Sequence, residues 1–203
     1  MDASKKEIKI KNIDQLTSLL APIEALKELM VSIDCRWMVI GGVAVSLLSK
    51  PRFTADVDIV ALIDDDKLSS VIPKASQYDL FPRIKNCEKF AQENRMLLFF
   101  HKPSGISIDI SLGLLPFEKE AILKSQLSQV GSIIIPLPRL EDLIVFKAVA
   151  HRLRDILDIQ TLVSVNPKID KKYLKKVIKE FSATLDMPEI WNDVEKIIKK
   201  DYP

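Results

Sequence analysis

Residues 38–61 read MVIGGVAVSLLSKPRFTADVDIVA, and the fold turns on them. An apolar run enters a glycine pair, Gly41-Gly42, in a chain with only five glycines. A short helical stretch follows over residues 43–49, Pro51 ends it, and residues 56–62 then alternate carboxylate and apolar side chains. Period-two alternation marks a strand with one buried face, so Asp56 and Asp58 are expected on one side while Val57 and Ile59 enter the core. A glycine turn has no side chains to hold a ligand away, so backbone N–H groups and the N-terminus of the next helix come close to an anion. Ser46 and Arg52 stand near enough in sequence to assist.

Outward from that stretch, 203 residues with 47% hydrophobic and 29% charged side chains fit a folded chain of one core plus an appended helical part. The net charge of +2, from 30 basic and 28 acidic residues, leaves no strong overall field, so contact with a polyanion must come from a local patch. Cys35 and Cys87 have no paired spacing, which argues against a zinc site. With no signal-peptide pattern either, a soluble cytoplasmic protein that does not enter a membrane is expected. The longest apolar run, residues 37–48, is too short to cross a bilayer and is broken by the glycine pair.

In chain order, residues 1–11 are a lysine-rich lead-in, and a helix is expected over 14–33 with Asp14 as its N-cap and Pro22 kinking or dividing it. Strand 37–40, the glycine turn and helix 43–49 come next. Strand 56–62 follows, then a helix to residue 75 capped by Asp64-Asp65-Asp66. Residues 95–101 and 106–112 are strands joined as a hairpin, 116–127 a helix and 132–137 a last short strand. Beyond Arg139 only helices are expected: 140–163, 170–182 and 188–200. The sequence thus predicts an α+β lobe over 1–138 and a helical lobe over 139–203.

Strand 106–112 repeats the alternation, with Ile108 and Ile110 inward and Asp109 outward beside Ser107 and Ser111. If it neighbours strand 56–62, three carboxylates gather. Such a cluster repels itself unless a hard cation such as Mg²⁺ or Mn²⁺ is present, and it is what two-metal phosphoryl transfer needs.

These residues resemble the signature of the nucleotidyltransferase superfamily related to DNA polymerase β: Gly41-Gly42, thirteen intervening residues, then Asp56-Val57-Asp58-Ile59. The pattern Arg52-x-Thr54-x-Asp56-x-Asp58 is similar in particular to the AbiEii-type nucleotidyltransferases of type IV toxin–antitoxin systems. The resemblance implies a mixed sheet flanked by helices and an activity that moves a nucleoside monophosphate from an NTP to an acceptor hydroxyl. It implies Asp56, Asp58 and Asp109 as metal ligands, with Gly41, Gly42, Ser46, Arg52 and Thr54 around the nucleotide. The acceptor stays open among tRNA or another RNA, a protein and a small molecule such as an antibiotic. A cognate antitoxin is a partner such systems have, and a regulatory module that binds nucleotide without turnover is the alternative outside enzymes.

Lys147, His151, Arg154 and Asp158 recur at helical spacing and are expected to form one polar stripe, which on periodicity alone is a solvated face with an Arg154–Asp158 pair. In the AbiEii-type group a downstream Lys followed by Arg-Asp forms a further motif. Lys147 with Arg154-Asp155 matches it, implying that Lys147 touches nucleotide phosphates and that the Arg154-Asp155 pair holds the lobe against the nucleotide site. His151 and His101 are expected to be structural, and Trp37 and Trp191 to lie in the core or at the interface between the lobes. Lys168, Lys171, Lys172, Lys175, Lys176 and Lys179 form a basic run that is either a solvated face or a phosphate-tracking surface.

Overall fold

The computed structural model describes residues 16–201, so the lead-in and the Asp14 cap lie outside the described residues. The chain is α+β. Helix α1 (Thr17–Ser32) is followed by β1 (Trp37–Val39), α2 (Gly41–Leu48), β2 (Asp56–Ala61), α3 (Leu68–Ala75), β3 (Leu80–Pro82) and α4 (Cys87–Asn94). Then come β4 (Met96–His101), β5 (Ser107–Leu112), α5 (Pro116–Leu123), β6 (Gln126–Val130) and β7 (Ile133–Leu137). Four helices finish the chain: α6 (Leu140–Ala150), α7 (Leu153–Val165), α8 (Lys171–Thr184) and α9 (Glu189–Asp201).

Five strands form one mixed sheet in the order β1-β2-β5-β4-β3. β2 and β5 run parallel, and the other neighbours are antiparallel. Alternation sorts the side chains. Val57, Ile59, Ile108, Ile110, Leu97 and Phe99 are fully buried on one face, where α1 contributes Leu19, Ile23, Leu26 and Met30 to the core. The opposite face, with Asp58, Asp109, Leu98 and Phe100, is half-buried. α1 is one helix through Pro22, because a proline within the first two turns removes few backbone bonds and its neighbours Leu19 and Ile23 stay buried.

Several elements differ from the sequence expectation. Asp64 makes no side-chain cap, since a 3₁₀ turn at Asp65–Lys67 precedes α3. α5 stops at Leu123, and residues that were expected to continue it pair as β6 with β7 across a two-residue turn at Gly131, φ +59°. β3 and α4 were not expected at all: β3 is three residues ending in proline, and α4 is mostly polar. The expected single helix over 140–163 is divided at His151, which has φ +48°.

The chain separates into two compact units. One holds the described residues up to Val43 with Arg52–Pro138, and the other holds Ala44–Pro51 with the described residues from Arg139 onward. In the second, α6, α7, α8 and α9 pack on one another, and Asn166 Nδ2 ties the end of α2 to α7 by donating to the carbonyls of Leu48 (3.2 Å) and Leu162 (2.8 Å). Asp142, fully buried on α6, accepts from Arg139 (2.7 and 2.9 Å) and from the Tyr173 hydroxyl of α8 (2.6 Å). Among the described residues no helix is long and apolar enough to cross a membrane.

Candidate functional site

β1 delivers the chain to Gly41 by extending its ladder one step, with the Ile40 N–H donating to the Asp58 carbonyl at 2.9 Å. Gly41 itself has φ +62°, a left-handed conformation that side-chain-bearing residues rarely adopt. The glycines are not a turn ahead of the helix, as their spacing suggested, but its first residues. Their lack of a Cβ is used twice. A Cβ at Gly41 would overlap the Asp58 carboxylate, and one at Gly42 would overlap the Thr54 hydroxyl, with Arg52 Nη2 next nearest at 3.2 Å.

Thr54 is buried and donates its hydroxyl proton to Asp56 Oδ1 at 2.9 Å. The Arg52-x-Thr54-x-Asp56-x-Asp58 spacing therefore has a local physical basis. Thr54 lodges against Gly42 and orients the first aspartate, strand alternation places the second on the same face against Gly41, and Arg52 Nη1 braces the loop by donating to the Phe53 carbonyl (3.1 Å).

Parallel pairing brings in the third carboxylate. Asp58 stands opposite Asp109, and Asp56 opposite Ser107, on strands about 4.8 Å apart. Burial pushes the Asp109 carboxyl above the ordinary carboxylate range; Arg83 opposes that shift, and Asp56 adds to it. Arg83 is the residue that sequence reasoning missed. Its backbone N–H extends the β3–β4 ladder to the Leu98 carbonyl (2.9 Å), its Nη2 donates to Asp109 Oδ1, and its Nη1 to the Ser107 hydroxyl (3.3 Å). Only the pairing of β3 with β4 could have revealed it. With Asp109 turned to Arg83, no three carboxylate, imidazole or thiol groups among the described residues are gathered to hold a metal ion.

Seven candidate residues thus lie in the sheet unit: Gly41, Gly42, Arg52, Thr54, Asp56, Asp58 and Asp109. Ser46, Lys147 and Arg154 lie in the other unit. Ser46 is buried on α2. The expected stripe does not form, because the break at His151 redirects α7. In a continuous helix Asp158 would sit about 16 Å along the axis from Lys147. Instead Lys147 Nζ lies 2.8 Å from Asp155 and 3.0 Å from Asp158, all three buried, and Arg152 also donates to Asp155 at 2.6 Å. Asp158 pairs with Lys147, and Asp155 holds Arg152; Arg154 is exposed. His151 Nε2 lies 3.4 Å from Asp193, and the buried His101 ring bonds Ser104 Oγ at 2.8 Å, both structural placements. Trp37 and Trp191 are buried, and both thiols are free, with burial pushing Cys35 up to about 11.

No protein-family model matches the sequence, and no curated protein sequence matches it. Among solved structures, an antibiotic-resistance factor, ANT(2'')-Ia, matches with a TM-score of 0.49 over 91% of each chain at 11% identity. An antigenic nucleotidyltransferase-like protein from Paracoccidioides brasiliensis matches with a TM-score of 0.52 over 90% of this chain and 93% of its own, at 16% identity. At that identity the likeness is one of fold, and the fold of this chain is nucleotidyltransferase-like.

Proposed function

We propose that the chain is a metal-dependent nucleotidyltransferase that moves a nucleoside monophosphate from an NTP to an acceptor hydroxyl and releases pyrophosphate. The observation that carries this is the pairing of Asp58 with Asp109 on one sheet face, while Asp58 and Thr54 are seated against the glycine pair that opens α2. The donor set is all carboxylate oxygen, exposed at Asp56 and half-buried at Asp58 and Asp109, and it fits a hard divalent cation, Mg²⁺ or Mn²⁺. Asp56 and Asp58 would hold it, joined by Asp109 once Arg83 releases that carboxylate. When bound, such a cation neutralises phosphate charge and lowers the pKa of a coordinated hydroxyl.

The chain's own residues supply the rest. The N-terminal amides of α2 present hydrogen-bond donors and the positive end of the helix dipole to the phosphates. Asp109, held less acidic than usual by burial, accepts the proton of the acceptor hydroxyl. The acceptor oxygen bonds to the α-phosphorus, and the bond from that phosphorus to the bridging oxygen breaks with pyrophosphate leaving. A toxin-type role with an antitoxin partner is supported by the likeness of Arg52-x-Thr54-x-Asp56-x-Asp58 to the AbiEii-type pattern.

Incubation with each labelled NTP, Mg²⁺, and cellular RNA or lysate is expected to label one acceptor and release pyrophosphate. Asp56→Ala with Asp58→Ala is expected to abolish both while the far-ultraviolet circular dichroism stays unchanged; a folded, active double variant sinks the proposal. The Arg83–Asp109 pair favours one second reading, a nucleotide-binding module without turnover. Metal-dependent NTP binding with no labelled product would select it.

A further inference from the structure

We propose that the lysine face of α8 is a docking surface for the phosphate backbone of a nucleic acid strand. Lys171, Lys172, Lys175, Lys176 and Lys179 are all exposed, while Leu174 and Ile178 between them are fully buried. One face of a single helix therefore carries five ammonium groups over about 12 Å of axis, in a chain whose net charge is only +2.

The arrangement works against the helix that bears it. Like charges four apart repel, and Lys171/Lys175, Lys172/Lys176 and Lys175/Lys179 all have that spacing. Lys171 and Lys172 also stand at the positive end of the helix dipole, where cations are unfavourable. The Asp170 carboxylate caps the Tyr173 N–H at 2.9 Å. Among the described residues no acid pairs with Lys172, Lys175 or Lys176, and Lys179 sits over the Trp191 ring at 5.9 Å. The neighbouring helix α9 shows the ordinary solution, with Lys196 paired to Asp193 at 2.9 Å and Lys199 to Glu195 at 3.2 Å. Lys172, Lys175 and Lys176 thus have no acidic counterpart among the described residues, and a polyanion supplies one.

The chemistry of the face selects among polyanions. A helix that lies on a membrane needs a free apolar face to insert, and the apolar side of α8 is already in the core. A protein partner is anchored by aromatic and apolar groups, with lysine depleted at the centre of the interface, and the face has none of these. Point charges that track a line of phosphates match what is present. The proposal is independent of nucleotidyl transfer, because it requires neither the carboxylates nor a metal.

The test is binding of a fluorescent 20-nucleotide single-stranded RNA, and of the DNA of the same sequence, titrated from 50 to 300 mM KCl. Contact with four or five lysines gives a slope of log K against log salt of about −3, at roughly −0.7 per phosphate. Lys175→Ala with Lys176→Ala is expected to make that slope shallower by about 1.4 and to weaken binding severalfold at 100 mM. Lys196→Ala with Lys199→Ala removes the same net charge from α9 and is expected to leave the slope alone. Failure of both strands to bind at 50 mM, or equal losses in the two variants, overturns the proposal. So does binding to phosphatidylcholine–phosphatidylserine vesicles with no binding to either strand.

Discussion

Asp109 shows how one residue carries both the chemistry of the site and its electrostatic cost. Burial and the Asp56 charge disfavour its ionised form, and Arg83 is the cation that offsets them. A carboxyl raised above its ordinary range binds protons more readily folded than unfolded, so its favourable contribution to stability is present at pH below the ordinary carboxylate value and is lost as pH rises through the folded value. Removing Arg83 deepens that loss. Arg83→Gln is expected to move the Asp109 midpoint further upward in a carboxyl NMR titration, and in urea melts to lose more stability at pH 7 than at pH 4. A variant with an unchanged Asp109 midpoint would show that Arg83 does not set the ionisation of this group. At this scale Thr54 and Asp56 were legible because they hold each other through a local hydrogen bond, and Asp58 because strand alternation sets it on the same face as Asp56. Arg83 was not, since its role comes from strands that meet more than twenty residues downstream.

Secondary elements divide along the same line. Strands β2 and β5 were legible because alternation over six residues each is a strong signal. Their parallel pairing sets Asp109 opposite Asp58, but Asp109 turns to Arg83 and the expected gathering of three carboxylates does not form among the described residues. β6 had a signal too, a two-residue hairpin turn at Gly131-Ser132, but its own five residues, QLSQV, carry only two apolar side chains, and only the partner strand makes them a strand. The break between α6 and α7 was illegible for a different reason. The local pattern is helical throughout, and what interrupts it is a buried ammonium, Lys147, that meets Asp155 and Asp158 only if the chain turns at His151. Truncating one member of such a set leaves the others buried without compensation, so Lys147→Ala is expected to destabilise the protein by about 3 to 5 kcal/mol in chemical denaturation. Asp155 adds a pH signature. Burial pushes its carboxyl up, but the hydrogen bonds from Arg152 and Lys147 outweigh burial and hold it below the ordinary range. Its contribution is therefore present at neutral pH and is lost as pH falls through the lowered value. Asp155→Asn is expected to flatten the acid side of the stability profile, below about pH 4, while lowering stability at pH 7.

At the scale of the whole molecule, the proposed function predicts a linkage between ligand and unfolding that needs no knowledge of the acceptor. A ligand that binds only the folded chain stabilises it by about 2.7 kcal/mol at a hundred times its dissociation constant. For a chain of 203 residues that corresponds to a rise of about 5 to 10 °C in melting temperature. Two compact units need not melt in one step, and the carboxylates and the glycine pair all belong to the sheet unit, so the rise should appear in the transition that includes the sheet. Mg²⁺ with a saturating non-hydrolysable NTP analogue is expected to give that rise, and the analogue without a divalent cation a much smaller one. Asp56→Ala with Asp58→Ala is expected to abolish the rise without lowering the melting temperature of the ligand-free chain, since removing two like charges from one face costs the fold little. A full-sized shift in that variant would place the nucleotide somewhere other than the glycine-paired carboxylates. No shift in the unaltered protein with any of the four analogues would argue against nucleotide binding altogether.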